Sequence, residues 1–114
     1  MAEAFARTYG SDVIEPASAG IAPSIIIPVE TRRVMEEKDI DLTGYFPKPL
    51  SSFPPDSLDL VVNMSGFPLH GYREVREWRV RDPFGSGPDV HRQVRDQIEN
   101  LTMNLILELR RGRK

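Results

Sequence analysis

Apolar residues recur most regularly near the end of the chain. Val90, Val94, Ile98, Leu101, Leu105 and Leu109 are spaced by three or four positions, with charges between them. That period predicts an amphipathic helix of about five to six turns. Leu58 to Met64 has a continuous apolar centre, the pattern of a strand buried on both faces in a parallel sheet. Val75 to Val80, with Trp78, predicts a second strand, and Val13 to Gly20 a shorter one closed by a glycine turn. Met1 to Arg7 is rich in alanine and other helix formers and is stopped at Gly10-Ser11-Asp12. Pro28 suits the first turn of a helix running from Val29 to Lys38. Pro23 and Pro28 bracket Ile25-Ile26-Ile27, so residues 21–27 read as a loop. Leu50 to Pro55 is a connector in which Ser51 or Ser52 caps a short helix. Helices alternating with strands place the chain in the α/β class with a mostly parallel sheet.

Composition narrows the function more than the fold. The 114 residues suit one domain, and a net charge of −2 provides no field for nucleic acid. No cysteine is present, so these residues supply no disulfide, thiolate zinc site or sulfur nucleophile. His70 and His91 have no metal-ligand spacing around them and read as solvated side chains. Arg73, Arg76, Arg79 and Arg81, with Glu74 and Glu77, read as a solvated strand edge. The basic end at Arg110, Arg111, Arg113 and Lys114 suits a solvated helix terminus. No apolar run reaches the roughly 20 residues of a membrane span, and no signal-peptide layout opens the chain, so the expected setting is cytoplasmic.

Three ordered features carry a resemblance. They are Met1-Ala2-Glu3-Ala4-Phe5-Ala6-Arg7, then Ser18-Ala19-Gly20 followed by Ile40-Asp41-Leu42-Thr43-Gly44, then Asp82-Pro83-Phe84-Gly85 before the long helix. In this order the chain resembles the low-molecular-weight protein tyrosine phosphatase family, which includes arsenate reductases, over essentially all 114 residues. The resemblance implies a flavodoxin-like three-layer parallel sheet. It also implies phosphomonoester hydrolysis through a phosphocysteine, with no cofactor and no metal. Asp82 matches the family's general acid, in a loop where Pro83 restricts it. An aspartic acid working as an acid near neutrality needs a raised pKa, and a bound phosphate dianion nearby would raise it. Phe84 matches an aromatic residue beside the substrate ring, and Ser18 a serine that supports the phosphate loop. Residues 21–27 fall where the family places a substrate-facing loop.

The family's first strand and its C-x5-R-[ST] phosphate loop precede a helix that often begins Met-Ala-Glu. Residues 1–114 therefore read as a single phosphatase-like domain incomplete at its N-terminus, with the central first strand missing. A start taken at an internal methionine is the expectation, with a truncated gene as the other origin. Removing a central strand leaves a gap of about 9–10 Å. The chain is then expected to be inactive and to be unstable, aggregate or exchange strands in a homo-oligomer. Its substrate, once completed, would be a phosphorylated protein or a small oxyanion. Tyr45 stands where the family often has histidine, and Ser65 where an acidic residue often follows Met64. Lack of cysteine after the Met64 strand argues against a three-cysteine thioredoxin relay. A glutaredoxin- or mycothiol-type reductase stays open, as does a non-catalytic domain that binds a partner.

Overall fold

The computed structural model describes residues 1–20 and 27–112. Three helices, α1 (Ala2–Gly10), α2 (Val29–Glu36) and α3 (Pro88–Gly112), accompany two short strands, β1 (Val61–Asn63) and β2 (Val75–Glu77). Single 3-10 turns occupy Leu50–Ser52 and Pro55–Ser57. β1 and β2 run parallel, with Val61 opposite Val75 and Asn63 opposite Glu77. The α/β class and the parallel pairing follow the sequence expectation. No helix among the described residues is long and apolar enough to cross a membrane.

The helices carry the core. Phe5, Met35 and Ile106 are fully buried, and each such side chain contributes about 1.5–3 kcal/mol of transfer free energy. α1 forms because alanines alternate with good helix formers, and a Glu3–Arg7 pair at 3.0 Å spans one turn. Gly10 closes the helix where α1 meets Ile106 of α3. Arg110 of α3 ties the same corner, donating to Asp12 at 2.9 Å and to the Tyr9 carbonyl at 2.8 Å.

Several expectations are corrected. Residues 13–19 form no strand; only Gly20 makes a single parallel bridge, to Pro49. Pro16 has no N–H to donate, and its carbonyl is taken by the Arg7 side chain at 2.8 Å instead of a ladder. The strand read at 58–64 shortens to three residues, and Val61 and Val62 are half-buried rather than enclosed on both faces, because among the described residues β2 is the one strand paired with β1. Neither Ser51 nor Ser52 caps a helix; both lie inside the 3-10 turn. His91 is buried, not solvated. Its Nδ1 lies 2.9 Å from the Gly87 carbonyl, and its Nε2 has no partner. The buried stripe of α3 keeps Val94, Ile98 and Leu105 but also holds His91, Arg95 and Thr102. Arg95 is tolerated there because Nη1 donates to the Val34 carbonyl at 2.9 Å and to Glu37 at 2.6 Å. The expectations on residues 21–26, and on Arg113 and Lys114, lie outside the described residues.

Candidate active site

The loop after β2 is organised by its own carboxylate. Asp82 Oδ1 accepts the backbone N–H of Phe84 at 3.0 Å, an Asx turn across Pro83. Gly85 follows with φ +78°, a conformation that a side chain would strain, and Ser86 N–H closes onto the Pro83 carbonyl at 2.9 Å. Asp82 is exposed, and the Phe84 ring is 68 % exposed. Neither side chain serves the core, which frees both for a ligand.

This loop faces the leading end of α1. A cavity of about 620 Å³ is lined by Met1 and Ala2, by Thr31 of α2, by Ser65 after β1, and by Arg81, Asp82 and Phe84. Its floor is apolar, with Met64, Val80, Val94 and Ile98. No side chain caps the first turn of α1, so the partial positive charge of that terminus remains available. Asp82 and Phe84 are therefore brought together, at the helix end where an anion is favoured.

Ser18 lies on an adjoining cavity of about 210 Å³, which shares Met1 and Thr31 with the first. Its hydroxyl donates to Glu3 Oε1 at 2.5 Å. Glu3 also receives Arg7 at 3.0 Å and lies 4.0 Å from Lys48. The hydroxyl thus fastens the 16–20 segment to the first turn of α1. Tyr45 and Phe46 line the same small cavity.

Sequence reasoning missed three contributors. Asn63 is buried at the end of β1. Its Oδ1 accepts the Ser65 hydroxyl at 2.6 Å and the Ser65 N–H at 3.0 Å, and its Nδ2 donates to the Phe67 carbonyl at 2.6 Å. That shapes the turn carrying Ser65 into the large cavity; an asparagine two residues before a serine at a strand end was the available signal. Thr31, on both cavities, left no signal, because its place depends on how α2 packs on α3 beside the end of α1. Arg81, read as part of a solvated edge, lies on the large cavity as well.

A family model described as low molecular weight phosphotyrosine protein phosphatase matches residues 1–114. The chain is 34 % identical over 115 residues to a protein named glutaredoxin arsenate reductase from Synechocystis sp., covering 96 % of this chain and 87 % of that one. A solved structure of an arsenate reductase in the phosphate binding state superposes with a TM-score of 0.85 at 32 % identity, covering 95 % of this chain and 86 % of the other. An arsenate reductase in the reduced state gives 0.82 at 30 % identity, with the same coverage.

Proposed function

The chain belongs to the low-molecular-weight phosphotyrosine protein phosphatase family, and on that premise we propose that its site takes a tetrahedral oxyanion and serves arsenate reduction. Phosphotyrosine hydrolysis, the activity first expected from the resemblance, becomes the second reading. The similar proteins are named arsenate reductases, and one of them was solved in a phosphate binding state. One observation carries the proposal: Asp82 and Phe84 share a cavity with the uncapped leading end of α1.

The chemistry is balanced as follows. Arsenate sits at the helix end, where the dipole offsets its charge. A thiolate sulfur bonds to arsenic as one As–O bond breaks. Asp82 protonates the departing oxygen, which leaves as water. A further thiolate attacks that sulfur, forming a disulfide, and the S–As electron pair stays on arsenic as arsenite. One pair of thiols is oxidised and arsenic(V) becomes arsenic(III). The 114 residues hold no cysteine, so both thiols come from outside them. Asp82 Oδ1 is occupied by the Phe84 N–H, which leaves Oδ2 to hold the proton. The exposed ring of Phe84 is what favours the second reading, because it suits an aryl ester.

The test measures arsenite formation and aryl phosphate hydrolysis by the protein as its cells make it, with glutathione and glutaredoxin added. Arsenite is expected, and none without added thiol. D82N keeps the turn, because an amide oxygen still accepts the Phe84 N–H, but carries no acidic proton. Its kcat is expected to fall about a hundredfold or more, with stability within about 0.5 kcal/mol of wild type. Hydrolysis of aryl phosphate with no arsenite, or full reductase activity in D82N, would refute the assignment.

A further inference from the structure

We propose that Arg81 selects the thiol: its guanidinium takes a carboxylate of the thiol that reduces arsenate at this site. The inference rests on the reductase reading and goes beyond it, to the chemistry of the co-substrate.

Arg81 is the only cationic side chain on the large cavity among the described residues, as Asp82 is its only carboxylate. Several arginines are held in pairs, among them Arg76 by Glu74 and Glu108, Arg92 and Arg95 by Glu37, and Arg110 by Asp12, whereas Arg32, Arg79 and Arg111 lie off this cavity. Arg81 has no ion pair among the described residues and is exposed. Its backbone is nevertheless anchored on both sides. Gln97 Nε2 donates to the Arg79 carbonyl at 3.0 Å, and the Asx turn of Asp82 begins at the next residue. The guanidinium is thus a free charge on a fixed stem.

It lies on the solvent side of the cavity. Met1 and Ala2, at the end of α1, are half-buried, whereas Arg81 lies exposed at the rim. A thiol arriving from solvent passes the rim to reach arsenic. A planar guanidinium offers a carboxylate two parallel N–H bonds and gives a neutral thiol nothing comparable.

The experiment compares glutathione, which bears carboxylates, with β-mercaptoethanol, which bears none, in arsenite formation by wild type, R81Q and R81K. In R81Q the KM for glutathione is expected to rise about fivefold. The KM for arsenate and the KM for β-mercaptoethanol do not rise with it, and R81K recovers part of the loss. Added salt raises the glutathione KM of wild type and not of R81Q. An equal rise for both thiols, or a rise in the arsenate KM instead, overturns the proposal. A parallel titration with S-methylglutathione, followed by NMR, needs no turnover. About fivefold weaker binding to R81Q is expected there, and equal binding overturns the proposal. Should no thiol yield arsenite, the reductase reading falls, and this titration still decides the role of Arg81.

Discussion

Glu37 joins α2 to α3 through two guanidinium groups. Arg92 donates to it at 2.8 Å and Arg95 at 2.6 Å. These hydrogen bonds, that of Arg92 first, hold its carboxyl at about 2, below the usual 4.5. A carboxylate with a depressed folded value stabilises the protein above its unfolded value and loses that contribution as pH falls through the folded one. The Glu37 contribution is therefore complete above about pH 4.5 and lost toward about pH 2. Thermal unfolding of wild type and E37Q should show wild type more stable at neutral pH and the gap closing across that acid range. A gap independent of pH would mean that Glu37 acts through packing rather than charge. Arg95 adds a buried liability to the same joint, because without Glu37 its head keeps only the Val34 carbonyl and Asp96.

At the level of elements, α1 meets α3 at Gly10 with no room for a side chain. A Cβ built there would lie 2.7 Å from Ile106 Cγ1 and 2.8 Å from its Cδ1. Alanine would gain about 0.5–1 kcal/mol of helix preference, but overpacking costs about 1–3 kcal/mol. G10A should thus destabilise by about 1–2 kcal/mol in urea unfolding. In an I106A background the same change should be neutral or favourable, and additive effects would show that the two residues do not collide. This contact shows what could be read from the sequence. The period of α3, the helix at the start of the chain and the parallel α/β class were legible from local spacing, whereas the flavodoxin-like fold was legible only through the resemblance. Gly10 read only as a helix stop, since its neighbour lies far along the chain. His91, Arg95 and Thr102 entered the buried stripe unannounced for a similar reason: a polar side chain in a core depends on what the facing helix offers. In the candidate site, Asp82 and Phe84 stood out through the Asp-Pro-aromatic order. Thr31 and Arg81 gained their places only when α2 and the loop after β2 met the end of α1.

Across the whole molecule, stability is divided unequally between helices and sheet. Phe5, Met35 and Ile106 knit the helices together, whereas among the described residues the sheet is one parallel pair of three-residue strands. Parallel strands are ordinarily covered on both faces, and a lone pair of strands is marginal in water. The Gly20–Pro49 bridge stands apart from that pair and extends it by nothing. Local opening of β1 and β2 should therefore cost less than opening α3. In hydrogen exchange on the 114-residue chain, the amides of Val61 and Trp78, bonded to Glu74 and Asn63 at 2.9 Å, should exchange at least about a hundredfold faster than those of Ile98 and Ile106. A marginal strand edge is also a template for another chain. Light scattering should find a mass above 12.9 kDa that grows with concentration. The β1 amides should slow over the same range while those of α3 do not, the signature of strands shared between copies. A single 12.9 kDa species with even protection across helices and strands would show instead that one copy completes its own sheet.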